Sequence, residues 1–140
     1  RKTLGSMLRA IGDMEQRYGR RCMNVFPAGC GHLHPLILFD ANAPGEMDRA
    51  NQFGAEILEL CVGLGGTITG EHGVGVEKIN SMCVQFRAAE RNAFFAVKGT
   101  FDAAGLLNPG KAIPTLARCA EHGKLHVHQG QLPHPDLPRF

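Results

Sequence analysis

The stretch VFPAGCGHLHP, residues 25–35, places a glycine-flanked turn between two apolar segments. These segments predict a strand from Cys22 to Ala28 and a second strand from His32 to Phe39, joined at Gly29–Gly31. Pro35 has no N–H group to donate to a neighbouring strand, so it should lie at a strand start, at a sheet edge or in a bulge. We therefore expect a pair of short strands around this turn.

Two amphipathic helices flank the predicted strands. Gly19 ends the first helix, whose apolar residues recur at helical spacing: Leu4, Met7, Leu8, Ile11, Met14 and Tyr18. Gly65 and Gly66 end the second helix, from Glu46 to Leu64, whose apolar residues share one face: Met47, Ala50, Phe53, Ile57, Leu60, Cys61 and Leu64. The order helix–strand–strand–helix predicts an α+β fold, with a small antiparallel β-sheet backed by helices.

Further helices are predicted after a glycine-rich loop at residues 67–75. A short helix should run from Val76 to Phe86. Another should run from Ala88 to Ala103, and its spacing predicts a buried side formed by Phe94, Val97 and Phe101. The turn at residues 106–111 should then end the regular structure.

The chain has the length of one folded domain, because 140 residues can bury a single core. From Pro114 onward, prolines and histidines accumulate without periodicity. We therefore divide the chain into a domain at residues 1–113 and an extended tail at residues 114–140. Since the sequence begins at Arg1 without an initiating Met, we also expect it to be a piece of a longer protein.

Composition narrows the class of protein. A net charge of +2, with the basic residues dispersed, argues against nucleic-acid binding. The sequence has no run of 18 apolar residues and no signal-peptide pattern. Five cysteines without regular spacing argue against a disulfide framework and for a reducing compartment. We therefore expect a cytoplasmic protein.

The second strand carries candidate metal ligands. Cys30, His32 and His34 would share one face if the strand begins that early, because alternate residues of a strand point to the same side. Sulfur with two imidazoles suits zinc or a similar transition metal, and Glu71 and His72, on the loop, could close the site from the opposite side. The alternative is that His-x-His arises by chance and that the cysteine is a small buried hydrophobe.

The loop GEHGVG, residues 70–75, is the stronger functional candidate. Adjacent Glu71 and His72 between glycines have no evident packing role, and a loop histidine is a suitable general base. A solvated turn with an ordinary ion pair remains the alternative. In the turn Asn108–Lys111, the lysine could reach an anionic cofactor, although such turns mostly end helices.

The tail contains four histidines, at positions 122, 126, 128 and 134. We do not interpret them as a second metal site, because a histidine-containing tail without a folded scaffold is usually only solvated. The pair His126 and His128 does not change that interpretation.

Three segments carry a family resemblance: HPLILFD at residues 34–40, residues 66–80 and residues 101–114. Together they resemble the C-terminal part of FAD-linked oxidases of the vanillyl-alcohol oxidase type, and within that family the FAD-linked subunits of bacterial glycolate oxidases. The resemblance implies a cap, or substrate, domain. It also implies that FAD is bound mainly by an N-terminal domain outside this chain, so the isolated chain should be inactive.

The resemblance also implies an activity. Such enzymes oxidise a 2-hydroxy acid, such as glycolate, to the 2-oxo acid and pass hydride to FAD. Their partners would be other glycolate oxidase subunits, through which the protein could associate peripherally with a membrane, and self-association is a further expectation. The competing hypotheses are a non-catalytic interaction or oligomerisation module, and a degenerate relative with a lost or rebuilt metal site.

Site residues follow from the family pattern His-x-Gly-Asp-Gly-Asn-x-His and a later Glu-His-Gly. The pattern implies that His34 and Glu71 bind a divalent metal and that His72 takes the hydroxyl proton. It also implies that Asn108 and Lys111 contact flavin or substrate.

Three residues depart from the family pattern. Pro27 replaces the first metal histidine, Cys30 the aspartate and His32 the asparagine. A proline side chain cannot bind a metal, so the family's metal set is incomplete here. Cys30 and His32 are chemically able to replace the missing ligand.

Overall fold

The computed structural model describes residues 2–27, 29 and 31–114. Within these residues the regular elements are helix α1, strands β1 and β2, and helices α2, α3 and α4. Their bounds are Leu4–Tyr18, Cys22–Val25, His34–Ile37, Glu46–Gly63, Met82–Gln85 and Ala88–Phe101, respectively. The predicted α+β class is confirmed: a two-stranded antiparallel sheet accompanies the helices.

The sheet is an antiparallel hairpin that pairs Cys22 with Ile37 and Val25 with His34. Its strands are shorter than predicted, because the turn is wider than three residues. Gly29 and Gly31 have φ of 106° and 82°, a backbone region that favours glycine and differs from that of an extended strand. The second strand therefore begins at His34 rather than at His32.

Pro35 lies inside β2, opposite Asn24. Both strands of a two-stranded sheet are edge strands, and a residue without an N–H group is tolerated in an edge strand. This placement agrees with the sheet edge predicted for Pro35.

One face of the hairpin is packed against α1 and α2. Ile11 and Phe53 are fully buried where the two helices meet, and Tyr18 stacks on Phe53 with ring centroids 4.9 Å apart. The buried cluster also holds Met7, Met14, Cys22 and Ile57. The periodicity of both long helices therefore predicted most of the core, although Met47 is 48% exposed. Gly19 ends α1 in the left-handed conformation.

Charged side chains connect α1 and the residues after it to α2. The Arg17 guanidinium donates to Glu56 at 2.5 Å, and the Tyr18 hydroxyl donates to the other oxygen of the same carboxylate at 2.9 Å. The hydrogen bond from Arg17 lowers the pKa of Glu56. Arg20 pairs with Glu46 at the start of α2. The exposed Arg17–Glu56 ion pair contributes little to stability, because surface pairs are screened by water, whereas Arg20 and Glu46 are mostly buried.

The helix predicted from Val76 to Phe86 is wrong over its first half. Residues 75–81 form successive tight turns, in which Ser81 N–H donates to Lys78 C=O at 3.0 Å and Cys83 N–H to Asn80 C=O at 3.2 Å. Lys78 N–H donates to Val74 C=O across four residues, but the following contacts span three, so no continuous α-helical ladder forms. Only Met82–Gln85 is α-helical.

The buried side predicted for α4 is also wrong. Val97 is 60% exposed and Phe101 82% exposed, and α4 has no buried residue. Helical spacing of apolar residues indicates a shared face but not what covers it. The predicted tail beyond Pro114 and the candidate ligand Cys30 lie outside the described residues, and the division at residue 113 stays a prediction.

The described cysteines differ in state. Cys22 and Cys61 are free, and burial raises the pKa of the Cys22 thiol. Cys83 is disulfide-bonded. In the part of the chain that the structure describes, no helix has both the length and the apolar character needed to cross a membrane.

Candidate active site

His34 lies on the open face of the hairpin. Because Cys22 and Ile37 point into the core, alternation directs the pair Val25–His34 to the opposite face. Two other apolar residues of this face, Met23 and Leu36, are about half exposed. The imidazole of His34 therefore stands at the edge of an apolar surface.

The glycine-rich loop is anchored beside the sheet by Ile68, which is buried and whose N–H donates to the Gln85 side chain at 2.9 Å. The Thr69 hydroxyl accepts from Gly73 N–H at 2.9 Å, which closes the loop on itself. Gly73 has a φ of 83°, a conformation that favours glycine. These contacts hold the segment that carries Glu71 and His72.

Gly70 is required by its neighbour His32. A Cβ atom at position 70 would lie 2.3 Å from Cδ2 and 2.4 Å from Nε2 of the His32 ring. This distance is far below van der Waals contact, so the absence of a side chain lets the loop pass close to the sequence before β2. The first glycine of the GEHGVG motif thus has a packing role.

Three candidate donors converge at this place. His34 Nε2 lies 3.2 Å from Glu71 Oε1, and His72 Nε2 lies 3.6 Å from the same oxygen. The three donor atoms all lie within 4.8 Å of one another, and the rings of His34 and His72 are 5.8 Å apart. A strand residue and two adjacent loop residues therefore form one cluster.

The cluster has the composition of a catalytic zinc site. Two imidazoles and one carboxylate, with a fourth position left open, form a known zinc ligand set. Ligands about 2.0 Å from a tetrahedral ion are roughly 3.3 Å from one another, close to the two measured separations. The side chains of His34, Glu71 and His72 are 31%, 56% and 74% exposed, so solvent reaches all three.

The remaining predicted ligands behave differently. His32 precedes the strand, and its ring centroid is 6.4 Å from that of His34; it is not among the three grouped donors. The shared strand face that would have aligned it is not formed, since β2 begins two residues later. Cys30 falls outside the described residues. Their roles as ligands stay predictions.

Asn108 and Lys111 are both exposed and contact each other, with Lys111 Nζ donating to Asn108 Oδ1 at 3.2 Å. Asn108 has a positive φ of 44°. Just after this turn, Ala112 N–H donates to Gly75 C=O at 2.8 Å. The C-terminal turn is therefore joined to the end of the loop that carries Glu71 and His72.

Sequence reasoning missed the side chains that hold this turn. Asp102 is 5% exposed and accepts from the N–H groups of Leu106 and Leu107 at 2.8 and 2.9 Å. Lys98 Nζ donates to Asp102 at 2.5 Å and to Leu107 C=O at 2.7 Å. The Lys98 ammonium holds the pKa of Asp102 below its ordinary value. The four-residue spacing of Lys98 and Asp102 on α4 was the available signal.

Two clefts among the described residues lie away from the cluster. An open cleft of about 610 Å³ runs along α1 and includes Arg9 and Arg21. Another, of about 630 Å³, lies between Arg20 and Phe39. Neither is lined by His34, Glu71 or His72. The candidate site is therefore an exposed surface of this chain.

The chain is similar to a known protein over its whole length. It is 59% identical over 140 residues to the glycolate oxidase subunit GlcD of Escherichia coli (strain K12), which is 100% of this chain and 28% of that protein. It is 39% identical over 118 residues to the subunit of the same name from Bacillus subtilis (strain 168), 84% of this chain and 25% of that protein.

A more distant relative is the mitochondrial D-lactate dehydrogenase [cytochrome] of Arabidopsis thaliana, 30% identical over 93 residues, 66% of this chain and 16% of that protein. The chain thus spans only 16% to 28% of the length of these relatives. Residues 1–112 match the family described as "FAD linked oxidases, C-terminal domain". The chain belongs to this family of FAD-linked oxidase C-terminal domains.

Proposed function

We propose that this chain is the substrate-binding, C-terminal portion of an FAD-dependent oxidoreductase that converts a 2-hydroxy acid, glycolate or a close analogue, to the 2-oxo acid. The observation that carries the proposal is the convergence of His34, Glu71 and His72 in a chain of the FAD-linked oxidase family. The names of the relatives, glycolate oxidase subunit and D-lactate dehydrogenase, support this substrate class.

The residues have separate roles in this proposal. His34 and Glu71 would hold a divalent cation, which would supply positive charge for the hydroxyl and carboxylate oxygens of the substrate. His72 accepts the hydroxyl proton at Nε2 while the C–H bond breaks and the C=O bond forms. FAD, when bound, accepts the hydride. Asn108 and Lys111 supply an amide and a cation for the anionic groups of flavin or substrate.

The cofactor should be held mainly outside this chain. The described site is exposed, and the chain spans only 28% of its E. coli relative. We propose a domain at residues 1–113 and a tail at residues 114–140. The isolated 140-residue protein should be inactive and show no flavin absorbance after purification. Stoichiometric bound FAD would contradict this expectation.

A chimera tests the catalytic proposal. The matching 28% of the E. coli glycolate oxidase subunit is replaced by this chain, and FAD reduction is followed anaerobically by stopped-flow absorbance with glycolate and with D-lactate. The flavin should be reduced. His72→Ala should slow reduction by about 10²–10⁴-fold, the usual contribution of a general base.

The matched control is Glu77→Gln, an exposed carboxylate six residues after Glu71. It should leave the reduction rate within about twofold, as expected for a surface substitution. A chimera that binds FAD but is reduced by neither acid would overturn the proposal. An undiminished rate in His72→Ala would remove the base role from that residue.

A second candidate function is an interaction module. The open hairpin face exposes Met23, Val25, Leu36 and Leu38, and contiguous exposed apolar surface commonly marks a docking site. Other glycolate oxidase subunits, or a second copy of the chain, would cover it. Such an assembly would be cytoplasmic, with any membrane association through its partners. Light scattering tests self-association, and a clean monomer at high concentration would count against it.

A further inference from the structure

We propose that Lys98 and Asp102, a pair we call the turn clamp, are positioning residues that hold the turn at residues 106–111. This turn carries Asn108 and Lys111, the amide and the cation proposed for the anionic groups of flavin or substrate. The clamp acts through the turn rather than by contact with flavin or substrate. Its catalytic consequence rests on the proposed function, whereas the ordering of the turn does not.

The carboxylate of Asp102, which follows the last residue of α4, accepts from three donors. Its Oδ1 accepts from Leu106 N–H at 2.8 Å, and its Oδ2 accepts from Leu107 N–H at 2.9 Å and from Lys98 Nζ at 2.5 Å. The side chain of Asp102 is 5% exposed, so water competes little for these contacts. Hydrogen bonds to an ionised acceptor are shorter and stronger than neutral ones. One side chain therefore sets the direction in which the chain leaves α4.

Lys98 completes the clamp from the helix side. It lies in the last turn of α4, four residues before Asp102, where side chains at this spacing are neighbours. Its Nζ also donates to Leu107 C=O at 2.7 Å, so one ammonium contacts both the carboxylate and the peptide group before Asn108. Loss of either charge would leave the other without its counter-charge beside a shielded carboxylate or amide.

The far end of the turn is fixed separately. Ala112 N–H donates to Gly75 C=O at 2.8 Å, and the ring of Pro114 is fully buried. Asn108 and Ala112 have φ of 44° and 63°, a region that alanine in particular rarely adopts. Such conformations persist where the surrounding contacts over-determine them. The residues between the two fixed ends therefore have little freedom, and they include both proposed contacts to flavin or substrate.

An asparagine at position 102 has the same shape as the aspartate but cannot make the same contacts. Its amide has a single acceptor oxygen, and its NH₂ group would face a backbone N–H or the Lys98 ammonium. Asp102→Asn therefore removes the contacts on one side of the carboxylate. Lys98→Met keeps the aliphatic stem and removes the charge, whereas Lys98→Arg keeps both a cation and its donors. These variants separate loss of the clamp from loss of side-chain volume.

The first measurement is the order of the turn in the 140-residue chain, by backbone nitrogen relaxation. At the amides of Asn108 and Lys111, the order parameter should fall from about 0.85 to below about 0.6 in Asp102→Asn and in Lys98→Met. It should not change in α1 and α2, and Lys98→Arg should keep the wild-type values. Unchanged order at both amides in Asp102→Asn would overturn the inference.

The second measurement uses the chimera with the E. coli glycolate oxidase subunit and gives the rate of reduction by glycolate per bound FAD. Asp102→Asn should slow reduction by about 10- to 100-fold, since a misplacement of about 1 Å can cost that much. Lys98→Met should also slow it, and Lys98→Arg should keep the rate within about threefold. Asp13→Asn, at an exposed carboxylate on α1, is the matched control and should change the rate by less than about twofold.

A double-mutant cycle shows whether the clamp acts through the turn. In a background of Asn108→Ala and Lys111→Met, the groups that the clamp presents are missing. Adding Asp102→Asn to that background should therefore slow reduction by less than about threefold, whereas the effects of independent sites would multiply. The same loss in both backgrounds would overturn the inference, because a residue needed only for folding gives that result.

The two measurements distinguish failure of this inference from failure of the proposed function. A chimera that binds FAD but is not reduced overturns the proposed function, and the order parameters still test the clamp. Reduction at the wild-type rate in Asp102→Asn overturns the catalytic consequence of the clamp and does not contradict the proposed function.

Discussion

The two faces of the hairpin β1–β2 share one backbone but differ in burial and in the side chains that they carry. The inward face places Cys22 and Ile37 against α1 and α2, within the buried core. The outward face places Val25 and Leu36 in half-exposed positions and ends in His34, beside Glu71. A one-residue shift in register would exchange these faces. Along the same four-residue strands, alternate side chains therefore contribute either to the buried core or to the surface that carries the candidate site.

The largest expected effect contrasts two phenylalanines. Phe53 is fully buried between α1 and α2, whereas Phe101 is 82% exposed at the end of α4. Phe53→Ala should lower the free energy of unfolding by about 3–5 kcal/mol, because it leaves a cavity. Phe101→Ala should change it by less than about 0.5 kcal/mol. Urea denaturation checks both. Equal losses would show that α4 packs against something in solution.

An intermediate effect tests the hairpin itself. Ile37 packs partly against the core, and its neighbour Leu36 points to the open face. Ile37→Ala should cost about 1–2 kcal/mol, less than a fully buried isoleucine. Leu36→Ala should cost less than about 0.5 kcal/mol. Thermal unfolding of the two variants gives the ranking, and a reversed ranking would mean that the strand register is shifted.

The smallest effect concerns the turn beside the loop. The lowered pKa of Asp102 means that its carboxylate stabilises the folded state at neutral pH, and this contribution is lost as pH falls through the folded pKa. The amides of Leu106 and Leu107 should then exchange hydrogen faster, while core amides should not. Asp102→Asn should already show faster exchange at neutral pH, measured by NMR.

The exposed Asp13 provides the matched control for that measurement. Asp13→Asn should leave exchange at Leu106 and Leu107 unchanged. Uniform loss of protection across α1 and α2 in Asp102→Asn would mean that the turn and the core unfold together, which would contradict a local role for Asp102.

The sequence predicted the helical core well, for an identifiable reason. In α1 and α2, apolar residues recur over four or more turns and glycines follow the last turn. The periodicity and the helix-ending glycines therefore indicate the same helix bounds. The shorter elements were less predictable. In the segment 75–81, tight turns replaced a helix, and in α4 the same periodicity placed Phe101 in solvent. The local spacing of apolar residues does not show which part of the protein packs against them.

The candidate site was predictable in its residues but not in its grouping. Spacing selected His34, Glu71 and His72 as candidates, because glycine-flanked polar residues rarely serve packing, and the structure places their donor atoms within 4.8 Å of one another. It also joined His32 to His34 through a strand that begins only at His34. Which imidazoles face the carboxylate depends on how the loop crosses the sheet, and no residue spacing records that distance.

The close approach of Gly70 to the His32 ring has a consequence for sequence variation. A side chain at position 70 would require the imidazole at position 32 to move, so the two positions are coupled. Substitution of Gly70 by alanine should cost least where residue 32 is smaller. Among homologous proteins, these two positions should therefore change together, although 38 residues separate them along the chain.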